Sequence, residues 1–295
     1  TISIRVCPAC AGLRTFERAF PMFKRMFLFA LLLCLVSQAA YAQTQTFEFA
    51  DVFTEKGSYV DELTYKSRNL SVQITKGRMF DSDYYAADIY VRDLNSFRHG
   101  FPGGEWNNGT RSLELMAEEA GAVIAITGDY AKTLNVGIVY ANGNLLRGST
   151  NNLRDIGVIY ADGSMDVVKG KDMTKERLTQ DKAVWHTMLF GPGLFQDNGL
   201  PIETSNSKVK PKNPRTAIGY KEPGHYLFVV VDGRSRDNRG MTMVELAELM
   251  HSLGAKKAYN LDGGQSAGMW FNGEMINEPY KGGRRLADMF YITEP

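Results

Sequence analysis

Two apolar strand patterns, YLFVVVDGR at 226–234 and KKAYNLDGG at 256–264, bracket one readable helix and constrain the fold more than any other feature. Thr242 and Glu245 form a T-x-x-E capping box, Met243, Leu246, Met250 and Leu253 recur at helical spacing, and Gly254 ends the element. If the two strands join one sheet as neighbours, a right-handed crossover makes them parallel and brings their C-terminal ends to one edge. Asp232 and Asp262, 30 positions apart, then face one crevice. After Asp262 the glycines Gly263 and Gly264 open the backbone, so a carboxylate there can meet a ligand, with backbone N–H groups close to any anion.

A third acid follows the same grammar. Leu113, Met116, Ala117 and Ala120 mark a helix, Gly121 stops it, and AVIAIT runs as a buried strand into Gly128 and Asp129. Gly121 precedes Asp129 by eight positions, as Gly254 precedes Asp262, which hints at a short pseudo-repeat. Each Asp-Gly or Gly-Asp also has a plainer reading as an Asx turn.

The first 42 residues read as a secretory leader: Lys24 and Arg25 precede the apolar run Met26–Val36, and Ala40-Tyr41-Ala42 offers a small-residue cleavage site. Residues before Met22 read as an overlong start assignment. No later segment approaches the roughly 20 apolar residues of a membrane span, so a periplasmic or secreted protein without stable membrane insertion is expected. All three cysteines, Cys7, Cys10 and Cys34, lie in that leader, so Cys7 and Cys10 are no evidence for zinc or redox chemistry. The remaining 253 residues carry 29 Lys and Arg against 32 Asp and Glu, too acidic for a nucleic-acid surface.

Residues 43–96 read as a β-rich segment of short alternating strands such as SVQIT and ADIYVRD, and Asn95–Gly109 as a Gly, Asn and aromatic loop. VGIVYANGNLLRG and IGVIYADGSMDVV each place Asn-Gly or Asp-Gly between strand-like runs, the signature of tight hairpins, and Asn272-Gly273 marks a third. Glu203–Asn213 reads as a mobile polar loop. Strands outnumber helices throughout. The expected fold is therefore α+β: one large domain, a mixed and mostly antiparallel sheet with few helices, and one strand-helix-strand crossover near the C-terminus.

Six motifs, AVIAITGDYA, FGPGLFQDNG, NPRTAIGY, LFVVVDGRS, GMTMVELAELMHSLGAKKAYNLDGG and FNGEMINEPYKGGRRLADMFYI, run in order from about Ala117 to Ile292. In order and spacing they resemble the phosphodiester glycosidase family, the domain of the enzyme that uncovers mannose 6-phosphate by removing N-acetylglucosamine from a phosphodiester. Bacterial exopolysaccharide-associated proteins look similar. The resemblance implies that residues 97–295 hold the catalytic region of a hydrolase acting on a sugar 1-phosphodiester. Thr127 stands where the family shows Asn, and Gln265-Ser266-Ala267 where it shows Gly-Ser-Ser, which is expected to tune substrate preference.

A sugar 1-phosphodiester calls for carboxylates at the anomeric carbon and guanidinium groups at the phosphate. Asp262 is the foremost candidate for nucleophile or water-activating base, with Asp129 as its partner and Asp232 third. Arg215 and Arg234 are candidates for the phosphate clamp, and Thr127, Gly263, Gly264, Gln265 and Ser266 for further substrate contacts. Arg284 and Arg285 rank lower, one of them being expected to pair with Asp288. His186 and His225 read as core or surface residues, and Trp106, Trp185 and Trp270 as sugar-stacking or core groups. Three strand-end Asp offer oxygen ligands of the kind Ca²⁺ or Mg²⁺ takes, but no contiguous ligand loop is present and metal dependence stays open. Two rival readings are a non-catalytic module for phosphorylated or acidic envelope glycans, and a metal-dependent phosphodiesterase cleaving the P–O bond.

Overall fold

The computed structural model describes residues 45–130, 137–149, 154–172, 174, 176, 178, 182–205 and 209–295. The leader-like segment 1–42 lies outside them. In chain order the elements are β1 Tyr59–Val60, β2 Thr64–Lys66, β3 Leu70–Met79, β4 Ser82–Val91, β5 Phe97–Gly100, α1 Leu113–Glu119, β6 Ile124–Thr127, β7 Ile138–Ala141, β8 Asn144–Gly148 and β9 Ile156–Tyr160. They continue with β10 Met165–Val168, β11 Val184–Met188, β12 Arg215–Glu222, β13 His225–Val231, α2 Met243–Ser252, β14 Lys257–Asn260, β15 Met269–Phe271, β16 Glu274–Met275 and β17 Met289–Ile292. The fold is α+β, as the preponderance of strands implies, and every strand pairing among the described residues is antiparallel.

A seven-stranded sheet in the order β1-β2-β3-β4-β13-β12-β14 packs against a five-stranded sheet in the order β16-β15-β6-β17-β5. Side-chain alternation along β13 shows why. Tyr226, Phe228 and Val230 join Ile124, Ile126, Phe290 and Ile292 in the core between the sheets, whereas Leu227, Val229 and Val231 meet Leu246, Leu249 and Met250 of α2 on the other face. α1 covers the outside of the five-stranded sheet through Leu113, Met116 and Ala117.

The crossover differs from expectation in one respect. β13 and β14 are parallel but not adjacent, because β12 lies between them and pairs antiparallel with both. Their C-terminal ends still reach one edge, and the start of β12, at Arg215, reaches it too. The capping box of α2 forms, with Thr242 Oγ1 accepting from Glu245 N and a Glu245 carboxylate oxygen accepting from Thr242 N.

Two stretches depart from the sequence reading. The alternating residues 70–91 form two ten-residue strands joined at Phe80 and Asp81, which turn at φ of 51° and 61° without a glycine to announce it. Part of the stretch read as a loop, Phe97–Gly100, is a strand, because β17 offers it a partner almost 200 positions away in the chain. The hairpins at Asn142-Gly143 and Asn272-Gly273 form with positive φ at both turn residues. No helix among the described residues is long and apolar enough to cross a membrane.

Candidate active site

At the sheet edge where β13 and β14 end and β12 begins lies a cleft of about 280 Å³. Its lining brings together Arg215, Arg234, Asp262, Gly263, Gly264, Gln265 and Arg284, with Asn213, Val209 and Phe190 around them. Asp262 is the single acidic residue in that lining among the described residues, against three arginines.

Asp262 stands two residues beyond the end of β14, and its backbone N–H donates to Gly128 O, so the ends of the two Gly-to-Asp stretches meet here. Its Oδ2 accepts from Ser266 Oγ at 2.7 Å and from Arg284 Nη2 at 2.7 Å. Oδ1 has no hydrogen-bond partner among the described residues and is the oxygen left for a ligand. Burial pushes the Asp262 carboxyl above the ordinary range, Ser266 and Arg284 pull it back, and the nearby Asp288 charge adds to the rise.

The turn after Asp262 is shaped by close approach. A Cβ at Gly263 would lie 2.7 Å from Pro214 O, and one at Gly264, where φ is +64°, would lie 3.1 Å from Arg234 Nη2. Below the turn, Thr127 Oγ1 donates to Ser266 O and accepts from Gly268 N. Thr127 is buried and positions the turn from beneath; it does not line the cleft. Gln265 Nε2 donates to Gly283 O at 2.8 Å, tying this turn to the loop that carries Arg284.

The three guanidinium groups are held in different ways. Arg215 is only 2 % exposed, its Nε donating to Met241 O and its Nη2 to Val209 O and Pro211 O. Nη1 is left over. Burial lowers its pKa to about 10, and the facing charge of Arg234 pulls the same way. Arg234 donates through Nε and Nη2 to Asn213 Oδ1 and lies 5.4 Å from the Tyr280 ring centre. Its backbone sits at φ of 62°, a conformation costly for a residue with a Cβ. Arg284 lies over Tyr130 at 5.5 Å and reaches both Asp262 and Ser266.

Asp129 and Asp232 stand apart from the cleft. Asp129 is fully buried, its two oxygens accepting from the backbone N–H groups of Leu189 and Phe190, so it fixes the backbone that presents Phe190 to the cleft wall. Burial, with the Asp288 charge second, raises its pKa well above the ordinary carboxylate value. Asp232 accepts from Asn277 Nδ2 at 2.8 Å and Glu278 N at 3.3 Å, and burial raises its pKa as well. Among the described residues no group of three His, Cys, Asp or Glu side chains is placed to hold a cation.

Asp288 is not the partner of either arginine. Its Oδ2 contacts His99 Nε2 at 3.0 Å, and its Oδ1 accepts from Asp129 N and Tyr130 N. Arg285 donates instead to Thr110 O. His186 is buried between Phe97 O and Asn142 N, and His225 pairs with Asp88. Arg284 and Asn213 are the polar cleft residues that the sequence ranked low or passed over, beside the apolar Phe190 and Val209. The GGRR and NPR stretches hold them, but nothing in the spacing says that Arg284 meets Asp262, 22 positions away.

A sequence model of the family described as phosphodiester glycosidase matches residues 120–293, more than half of the chain. An uncharacterised SPbeta prophage-derived protein, YomE of Bacillus subtilis strain 168, is 30% identical over 141 residues, covering 47% of this chain and 22% of its own length. The N-acetylglucosamine-1-phosphodiester alpha-N-acetylglucosaminidase of Bos taurus is 31% identical over 98 residues, 30% of this chain and 18% of its own length. The chain thus spans less than a quarter of the curated relatives it matches. Among solved structures, the catalytic domain of the zebrafish N-acetylglucosamine-1-phosphodiester alpha-N-acetylglucosaminidase, auto-inhibited by its pro-peptide, shares the fold. Its TM-score is 0.63 at 19% identity, over 87% of this chain and 91% of that one. A hypothetical protein from Synechocystis gives 0.57 at 14% identity, over 77% and 62% of the two chains. The matched region contains every residue that lines the Asp262 cleft, and on the extent of that match the chain belongs to the phosphodiester glycosidase family.

Proposed function

We propose that the protein is an exported hydrolase that cleaves the bond between a sugar and a phosphate in a glycan phosphodiester. The observation that carries this reading is the composition of the cleft: one carboxylate, Asp262, facing three guanidinium groups, Arg215, Arg234 and Arg284. An ordinary glycosidase needs two carboxyl groups, one to protonate a poor leaving oxygen and one to attack or to activate water. A departing phosphate monoester, with a second pKa of about 6, leaves as an anion without such protonation. Guanidinium groups then stabilise the charge that develops on it.

In this reading Asp262 Oδ1 attacks the anomeric carbon or activates water, while Ser266 and Arg284 hold Oδ2. The Nη1 of Arg215 and the guanidinium of Arg234 bind the phosphate oxygens, and Gln265 Oε1 accepts from a sugar hydroxyl. Water supplies the hydroxyl of the released sugar and a proton, and the C–O bond to the phosphate breaks. Asp129 acts through the backbone that presents Phe190. The leader-like segment 1–42 supports a periplasmic or secreted setting, where phosphorylated envelope glycans or exopolysaccharide would be the substrates.

Release of free sugar from a sugar 1-phosphodiester by the folded protein tests the reading. Asp262→Asn is expected to abolish release, and unchanged turnover would sink the assignment. In labelled water the heavy oxygen should appear in the sugar. Its appearance in phosphate, with activity lost to a chelator, would point to metal-dependent P–O cleavage. Calorimetric binding of the diester without any product would point to a binding module.

A further inference from the structure

A second and larger cleft, about 640 Å³, opens on the α1 side of the five-stranded sheet and shares no lining residue with the Asp262 cleft. Its floor is the β5 and β17 pair, where Arg98 faces Tyr291 and Gly100 faces Met289. A Cβ at Gly100 would lie 2.9 Å from both Met289 Cε and Tyr291 Cε1, so the absence of a side chain lets Tyr291 and Met289 lie across the strand. The floor is thereby partly aromatic. Trp106 forms a wall, packed edge-on against Phe101 with ring centres 5.2 Å apart.

Charge in this cleft is unbalanced at one point. Arg111 is neutralised by both carboxylate oxygens of Glu119. Arg98 has neither an ion-pair nor a hydrogen-bond partner among the described residues; its guanidinium stands 5.7 Å from the Trp185 ring centre. A guanidinium braced on an aromatic face and otherwise uncommitted matches a planar carboxylate or a phosphate. Aromatic faces beside it match the C–H faces of sugar rings, since Trp and Tyr offer large rigid apolar area with polar tips.

We propose that this cleft is a separate binding site for an anionic glycan, its sugar rings against Trp106 and Tyr291 and its acidic substituent on Arg98. The site retains a polymer whose cleaved linkage, on the reading above, sits elsewhere on the molecule, and it does not depend on Asp262 chemistry. Calorimetric titration of the full chain with a galacturonate oligosaccharide tests it, beside a neutral galactose oligosaccharide of equal length. Binding of the acidic probe should exceed that of the neutral one by about tenfold or more, the scale of one charge-assisted bidentate contact. Arg98→Gln should remove that preference and Trp106→Ala should weaken both probes, whereas Trp106→Phe should keep most of the affinity and guards against misfolding. Arg234→Gln, in the other cleft, should leave the binding of both probes unchanged. Absence of binding, equal binding of the two probes, or binding lost in Arg234→Gln and kept in Arg98→Gln would overturn the proposal. Sugar release from a phosphodiester is scored separately, so failure of one reading does not imply failure of the other.

Discussion

Arg284 holds the Asp262 carboxylate at 2.7 Å and, with 43 % of its side chain exposed, also faces the ligand space. A guanidinium that close favours the ionised carboxylate, against the burial that pushes Asp262 up. Removing it in Arg284→Gln therefore raises the Asp262 pKa further. If Asp262 acts ionised, the acid limb of the kcat/KM profile should move to higher pH in that variant, and a pH–rate series reads the shift. Gly264→Ala tests the neighbouring contact. The added Cβ needs a left-handed backbone and presses on Arg234 Nη2, so KM for a phosphodiester should rise severalfold, with a stability loss of about 1 kcal/mol.

Asp129 illustrates a different residue-scale effect. Its folded pKa is raised, so its neutral form is favoured on folding. That contribution to stability is fully present below the unfolded value of about 4 and is lost as pH rises through the raised folded value. Asp129→Asn also loses one of two acceptors for Leu189 N and Phe190 N, a change worth about 1–3 kcal/mol. The stability gap between wild type and Asp129→Asn should therefore narrow as pH rises. Urea titrations at several pH values measure it.

At the scale of elements, α2 and the β12–β13–β14 group place the cleft. The capping box at Thr242 is short-range and was legible because all its partners lie within three positions. Thr242→Ala should cost about 1 kcal/mol in denaturant unfolding. The same first turn is tied to the cleft by a contact that no local rule reveals: Arg215 Nε donates to Met241 O, the residue before the cap. The hairpins at Asn142-Gly143 and Asn272-Gly273 were legible for the same reason as the cap. The β3–β4 hairpin was not, since Phe80 and Asp81 adopt positive φ under the demand of two long paired strands.

For the whole molecule, closure depends on contacts between parts of the chain far apart in sequence. Phe47 fits where Gly163 and Gly224 leave room, since a Cβ at either would lie 2.4 Å or 2.5 Å from its ring. Phe47→Ala should cost about 3–5 kcal/mol while leaving kcat unchanged, because Phe47 lines neither cleft. Thermal unfolding with an activity assay at low temperature checks both halves.

What the residues determined by themselves were the features set by interactions over a few positions: strand alternation, helix spacing, caps, glycine turns and the strand-end placement of Asp262. Periodicity and backbone preference act locally, so they are readable locally. Which acids and arginines share a cleft was decided by tertiary structure. Asp129 turned to bind backbone 60 positions away, Arg234 found Asn213 across 21, and Arg284 found Asp262 across 22. The Arg234–Asn213 contact follows from sheet order, with β12 inserted between β13 and β14, and the other two join loops that different sheets bring together. A carboxylate is drawn to whatever donors the packed chain brings within 3 Å, and spacing along the sequence does not encode that distance.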